Sequence, residues 1–138
     1  MSRHRSPNGY PLQFSKISVS NPLDNTAYYV GLNAVSPFQG VSRIYCPVSG
    51  VVRRVYGHFS QVAGSAEQST LSLMHNGVDV DVISSALLHN AVSTVFSNIV
   101  LSREVAAGDY LELRWNTPVW NVNPASIVIS ATAWIETY

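Results

Sequence analysis

The chain has 138 residues and a single cysteine, which is enough for one domain with its own core and excludes a scaffold built on disulfides. Asp, Glu, Lys and Arg make up only 12% of the residues, about half of the roughly 25% usual in soluble domains. Eight positive and eight negative side chains give a formal net charge of zero, which argues against a strongly basic nucleic-acid binder. Much of the surface must therefore be uncharged and suited to contact.

Residues 1–25 differ in composition from the rest of the chain. Arg3, Arg5 and Lys16 precede the first acidic residue, Asp24, so residues 1–23 carry a net charge of +3 and the remaining residues, with five positive and eight negative side chains, carry −3. Prolines at positions 7, 11 and 22 are expected to break regular strand pairing. We predict an extended arm over residues 1–25 that suits an acidic surface of another protein; a loosely ordered, solvated terminus is the alternative.

The second segment, residues 26–138, is predicted to be a single all-β domain. Short runs rich in β-branched and aromatic residues alternate with Gly, Pro, Asn and Ser, which is typical of strands. Eight such runs occur, and few connections leave room for a helix, although 85–91 has space for one short turn. The runs are Thr26–Leu32, Val41–Tyr45, Gly50–Ser60, Gln68–His75, Val78–Ser84, Val92–Leu101, Asp109–Thr117 and Ser126–Thr137.

The dipeptide Asn76-Gly77 is the clearest local signal, because a two-residue type I′ hairpin turn needs two residues at positive φ. Counting outward from this turn pairs His75 with Val78, Leu73 with Val80 and Leu71 with Val82 on one face, which we expect to lie in the core. The other face carries Ser72, Met74, Asp79 and Asp81. That face should be solvated or meet a partner.

The last run, Ser126–Thr137, has little charge on either face. Such a strand lies centrally in a sheet or at a subunit interface, and we favour the interface. Trp134 with Ile127, Ile129 and Ile135 is predicted to pack in the core or in that interface. A second run, Gly50–Ser60, mixes arginines, aromatic residues and His58, which favours a strand that contacts a partner over a nucleic-acid stripe.

No constellation of residues predicts catalysis or a metal site. The four histidines have no metal-ligand spacing, and Cys46 has no companion, so it is expected to be a buried free thiol. Asp79 and Asp81 are the right type for a calcium site, but a solvated hairpin face explains them more simply. We therefore predict no enzymatic activity, no cofactor and no metal.

Targeting signals are also missing from the sequence. The first eleven residues lack the apolar run of a signal peptide, and no stretch approaches the roughly 18 apolar residues needed to cross a bilayer. We expect a protein made in the cytoplasm, without membrane insertion and without nucleic acid as a partner.

Trp120 lies in a loop stiffened by Pro118 and Pro124, an arrangement typical of sites that stack on sugars. Together with Tyr110 it forms a candidate glycan-binding site. The alternative is that Trp120 packs over the open end of the domain, since one Trp without a second aromatic platform is a weak signal.

Residues 48–138 resemble the jelly-roll domains of tailed-bacteriophage virion proteins, which are similar in design to the tumour necrosis factor fold. The resemblance rests on Gly50–Gly57, Ser69–Gly77, Leu101–Trp115, the Trp120 loop and the last strand. Its most specific element is Val105-Ala-Ala-Gly-Asp109-Tyr-Leu-Glu, a strand, a Gly-Asp turn and a return strand with an inward-facing Leu.

The resemblance implies an eight-stranded antiparallel jelly-roll β-sandwich that assembles as a homotrimer on a phage particle. A capsid cement (decoration) protein is the favoured function, because fibre heads usually follow a long repetitive stalk and this chain shows only a short arm. The partner is then the major capsid protein, bound through Arg3, Arg5 and Lys16, and the location is the outer capsid surface. The alternative is a fibre-head module that binds a host surface glycan.

Overall fold

The computed structural model describes residues 8–31, 35–36, 39–40, 42–62, 67–89 and 93–137. All of the regular structure in these ranges is β-strand, which confirms the all-β prediction. The strands are β1 (Gly9–Val19), β2 (Ala27–Val30), β3 (Val35–Ser36), β4 (Ile44–Tyr45), β5 (Gly50–Val62), β6 (Gln68–His75), β7 (Val78–Leu88), β8 (Ser93–Asn98), β9 (Arg103–Val105), β10 (Tyr110–Asn116) and β11 (Ala125–Thr137). Among the described residues, no helix has the length and apolar character to cross a membrane.

The strands form two antiparallel sheets that pack face to face. The first sheet has the order β1-β11-β5-β8, with β9 also paired to β5, and the second has the order β3-β2-β10-β6-β7, with β4 paired to β10. When the eight strands of four or more residues are numbered along the chain, the sheets read 1-8-3-6 and 2-7-4-5. This is the strand order of a jelly-roll sandwich.

The expectation that prolines keep residues 1–25 out of regular pairing is wrong for residues 9–19. Strand β1 pairs with β11 along its length, with Pro11 opposite Trp134. Because no described strand pairs with the other side of β1, a missing N–H can be tolerated there. Leu12 and Phe14 of this strand are buried in the core, so the arm of the sequence analysis contains the first strand of the sandwich.

The predicted runs match the strands with three differences. Among the described residues of the 41–45 run, only the two-residue strand β4 is regular, and the short strands β3 and β9 were not predicted. Residues 85–88 continue β7 instead of forming a turn. The structure has eight strands of four or more residues, which agrees with the predicted number. One of these eight is β1, which was not predicted, and the 41–45 run is not one of them.

The hairpin turn at Asn76-Gly77 is confirmed, with φ of 49° and 83°, and so is the pairing of His75 with Val78. Beyond that pair the predicted register is wrong, since Leu73 lies opposite Asp81 and not Val80. The register shifts between Leu73 and Met74, where β7 contributes one extra residue, as in a β-bulge. Val82 therefore turns outward and is 56% exposed.

The core lies between the two sheets, and aromatic rings from both sheets pack against each other in it. Phe59 of the first sheet packs against Trp115 of the second, with ring centroids 5.3 Å apart. The inward-facing residues of β11 are almost fully buried, and Cys46 is a buried free thiol as predicted. The largest fully buried apolar side chains are Phe14, Phe59, Leu71, Leu73, Leu87, Leu111, Leu113, Trp115, Ile127, Ile129 and Ile135.

Phe14→Ala tests whether β1 is part of the folded domain. We expect the substitution to lower the free energy of unfolding by about 3–5 kcal/mol, because it removes a fully buried ring and leaves a cavity. Urea unfolding followed by tryptophan fluorescence measures the effect. Gln13→Ala, at an exposed position of the same strand, is the matched control and should change stability by less than about 0.5 kcal/mol; equal small effects of both would contradict the assignment of β1 to the core.

Candidate functional site

The middle of the outer face of the first sheet is uncharged. On β11, Ser130 and Thr132 face outward opposite His58 and Tyr56 of β5, and Val95 of β8 lies opposite His58 on the far side. Val95 is 81% exposed. Among the described residues of these strands, charged side chains on this face occur only at its end, at Arg53, Arg54 and Glu136.

A shallow hollow of about 200 Å³ lies at the middle of this face. Its floor is formed by Ser130, Ala131 and Thr132, and Tyr56 and His58 form its side. The small side chains of the central strand β11 make the depression, and the larger side chains of β5 stand beside it. The surface can therefore receive an apolar or neutral projection without burying a charge.

The outer face of the second sheet is different, because its central strand carries charged side chains. On this face Arg114 contacts Asp79 at 3.5 Å. Asp81 lies opposite the buried Leu73, on the inner side of β7, and contacts Arg103 of β9 at 3.1 Å, so this ion pair joins the two sheets. Each aspartate is thus paired with an arginine. No group of three or more His, Cys, Asp or Glu side chains with metal-binding geometry occurs in the described ranges.

Glu112 holds a loop against this second face. Its side chain is fully buried, and its two carboxylate oxygens accept hydrogen bonds from the Gly40 amide at 3.1 and 3.2 Å. Burial raises the pKa of the carboxyl group, while hydrogen bonds from the Gly40 and Ser42 amides and the nearby charge of Arg43 oppose that rise. The function of Glu112 in the fold is to fix the loop that carries Arg43.

The turn between β9 and β10 contains the most specific element of the family resemblance. Gly108 has a φ of 93°, and Oδ2 of Asp109 accepts hydrogen bonds from the Ala106 amide at 2.9 Å and from His75 Nε2 at 2.8 Å. These bonds hold the pKa of Asp109 down at about 2, the Ala106 amide contributing most. Leu111 points inward as expected, but the two strands belong to different sheets, so the turn joins the sheets instead of closing a hairpin.

A second polar cluster lies inside the sandwich, around His89. Its Nε2 is 2.6 Å from Ser69 Oγ and its Nδ1 is 2.7 Å from Gln61 Oε1, while Trp115 Nε1 donates to Ser69 Oγ at 2.7 Å. Because the Gln61 oxygen can only accept, Nδ1 carries the proton and Nε2 accepts from the serine hydroxyl. The neutral imidazole is satisfied on both sides.

The arrangement of Ser69, His89 and Gln61 has the order of a catalytic nucleophile, its base and the group that orients the base. The surroundings of these residues do not suit catalysis. Ser69 and His89 are both buried, and the serine oxygen already accepts from Trp115. The His89 ring also packs edge-on against Phe59 and Trp120, with centroids 5.6 and 5.1 Å away. The cluster is therefore a structural link between the sheets and the loop that carries Trp120.

Burial lowers the pKa of His89 to about 4 from the ordinary 6.5, with Glu67 opposing the shift. The unfolded chain takes up this proton below about pH 6.5, whereas the folded chain does not until about pH 4. We therefore expect the free energy of unfolding to fall by about 3 kcal/mol as the pH drops across this window. Urea unfolding at pH 7, 5.5 and 4 measures the slope.

NMR titration of the His89 ring in the unmodified protein provides a direct check. An imidazole that titrates near pH 6.5 in the folded state would contradict the account.

The two residues predicted to stack on a glycan are not brought together. Tyr110 begins β10, whereas Trp120 follows the end of that strand, so the two lie about 20 Å apart along it at roughly 3.3 Å per residue. Trp120 is only 6% exposed and its ring meets His89 and Trp115. Trp120 therefore packs over the end of the sandwich, as the alternative interpretation predicts.

The other predicted residues fall into three groups. Ile127, Ile129 and Ile135 are in the core with no exposed area, while Trp134 faces outward, where its ring fills the space beside Gly9. Arg3 and Arg5 lie outside the described residues. Lys16 belongs to strand β1, but its side chain also lies outside the described part of the structure.

Sequence reasoning missed one feature of the surface. It did not identify Arg43 and Tyr45, which lie beside Tyr110, because their run was too short to show alternation. Tyr56 and His58 of the Gly50–Ser60 run face outward, and the contact of that run with a partner stays a prediction.

Comparison with known proteins adds little about function. No family model matches the chain, and no curated protein matches it. Among solved structures, it is similar to the catalytic unit of a thermostable GH87 alpha-1,3-glucanase from Streptomyces thermodiastaticus strain HF3-3, with 18% identity and a TM-score of 0.41 over 94% of this chain and 26% of that one. A likeness of this degree neither establishes nor excludes an enzymatic activity for this chain.

Proposed function

We propose that this chain is a structural protein of a bacteriophage particle, a capsid cement protein that works as a homotrimer. The observation that carries the proposal is the difference between the two sheets. The outer face of the second sheet carries charged side chains on its central strand, Glu112 and the Arg114 that pairs with Asp79. On the outer face of the first sheet the described charged residues lie at one end, so the middle of β5 and β11 is uncharged; these residues are Arg53, Arg54, Glu104 and Glu136. Uncharged, strand-built surfaces of this kind are suited to contact between subunits.

The size of the first sheet supports this use. Strands β5 and β11 each have 13 residues, so the sheet is about 40 Å long, and four strands spaced about 4.8 Å apart make it about 19 Å wide. The resulting area, on the order of 750 Å², is close to the roughly 800 Å² per partner of a stable interface. The face is therefore large enough to hold copies of the chain together.

Attachment to the capsid is assigned to the basic residues at the start of the chain. Arg3 and Arg5 precede β1 and Lys16 lies within it, so residues 9–19 of the predicted 25-residue arm belong to the sandwich. Charge-assisted bonds from these side chains to capsid carboxylates would position the trimer. Binding to the assembled shell alone would stabilise it by linkage, by about 2.7 kcal/mol per site when free protein is at 100 times Kd.

Thr132→Arg places a charge at the centre of the proposed interface and is expected to give monomers, because an unpaired buried charge costs several kcal/mol. Multi-angle light scattering should give three times the chain mass of 15.1 kDa for the unmodified protein and a single chain mass for the variant. Thr70→Arg is the matched control, since Thr70 is a half-buried threonine on the outer face of the second sheet. A monomeric unmodified protein would overturn the trimer.

Co-sedimentation with empty capsids of the corresponding phage tests the cement function. Trimers should pellet with capsids, and deleting residues 2–7, which leaves all of β1 in place, should abolish pelleting while leaving trimers intact. Retained pelleting would remove the role of the arm. Trimers that ignore capsids but bind host cell envelopes would favour the fibre-head alternative instead.

A further inference from the structure

The arginines of residues 24–138 divide into two kinds. Three of them form ion pairs, since Arg53 contacts Glu136 at 3.3 Å and Arg103 and Arg114 contact aspartates. The other two lie over aromatic rings, Arg43 at 4.3 Å from the centroid of Tyr110 and Arg54 at 5.4 Å from that of Trp134. Because Arg54 belongs to the proposed interface, Arg43 is the cation that remains on an open surface without an ion-paired carboxylate among the described residues.

The position of Arg43 is fixed by its surroundings. Strand β4 pairs with β10 so that Tyr45 lies directly opposite Tyr110, and the two rings meet at 61° with centroids 6.0 Å apart. The guanidinium carbon lies over the Tyr110 ring, 4.3 Å from its centroid, with the Tyr45 ring beside it. The charged group therefore needs little ordering before it binds a ligand, which favours affinity.

The charge of Glu112 acts on this cation, but the carboxylate does not neutralise the guanidinium by contact. Both of its oxygens accept from the Gly40 amide, and no ion pair within 4.0 Å joins it to Arg43 in the described ranges. Its charge acts on Arg43 only through space. The outward side of the guanidinium is left to an external acceptor.

We propose that Arg43, Tyr45 and Tyr110 form a binding site for a saccharide that carries a carboxylate. The carboxylate of the sugar accepts a bidentate pair of hydrogen bonds from the Arg43 fork. Its C–H face packs on the ring of Tyr45, which is 54% exposed. An aromatic ring beside a fixed guanidinium suits a cyclic acidic ligand better than an acidic side chain of a peptide, which has no ring face to cover Tyr45.

Glucuronic acid and glucose are matched probes, because they differ only by the carboxylate. In an NMR titration of the unmodified protein, glucuronic acid should shift the amide signals of residues 43–45 and 110–112 with a Kd on the order of 1 mM. Glucose should bind at least about tenfold more weakly. Equal binding of the two sugars, or no shifts at these residues, would overturn the proposal.

Variants separate this site from an arginine that is already ion-paired. Arg43→Gln and Tyr45→Ala should each weaken glucuronic acid binding by at least about tenfold, while Tyr45→Phe, which keeps the ring, should retain most of it. Arg103→Gln, which removes the partner of Asp81, is the matched control and should bind as the unmodified protein does. Unchanged binding in Arg43→Gln, or a loss in Arg103→Gln alone, would contradict the assignment.

Glutarate tests whether the ring of the ligand is recognised. It carries carboxylates without a sugar ring, and it should bind at least about tenfold more weakly than glucuronic acid. Equal affinity would mean that the site recognises carboxylates in general, as an acidic peptide would supply, and would overturn the saccharide assignment. The outcome does not depend on trimer formation or capsid binding, so either proposal can fail without the other.

Discussion

The contact between Phe59 and Trp115 is the constraint on which the rest of the molecule depends. Each ring is fully buried and comes from the middle of a different sheet, so the pair fixes the distance between the sheets. The indole N–H of Trp115 must then find a partner, and it finds Ser69, which leads to His89. His89 in turn supports Trp120, so the loop after β10 is held by a chain of contacts that begins at the central pair.

This inward use of aromatic and polar groups leaves the two outer faces with different characters. Six of the eight acidic residues lie in ion pairs or in hydrogen-bonded positions on the second sheet, its turns and the adjoining loops, namely Asp24, Asp79, Asp81, Asp109, Glu112 and, through its contact with Asn121, Glu67. On the outer face of the first sheet the described charged side chains lie at one end, so the middle of β5 and β11 is uncharged. A sandwich with such an uncharged area on one outer face is suited to a subunit that binds its own copies there and presents a polar surface on the other side.

The sequence was informative where a local pattern is determined by one physical rule. Asn76-Gly77 predicted the hairpin because its positive φ angles are favourable there, and the alternation of Ile127, Ile129 and Ile135 predicted a strand with a buried face. The register beyond the hairpin could not be predicted, because a bulge has no fixed sequence signal. Strand β1 was missed because Pro11 looks like a strand breaker unless its edge position is known.

Functional surfaces were harder to predict than the fold, because they depend on which strands become neighbours. Tyr110 was correctly placed on a strand but assigned to the wrong aromatic partner, since only the pairing of β4 with β10 brings Tyr45 beside it. A lone histidine carries no signal of burial, so the support that His89 gives to Trp120 was not visible either.

Hydroxyl-radical footprinting of the unmodified protein at micromolar concentration tests the central claim, the covering of the first sheet by another copy, with Tyr45 on the open second face as the internal standard. The account predicts that Tyr56, 42% exposed in the single chain, is protected while Tyr45 is labelled; equal labelling of both tyrosines would contradict it.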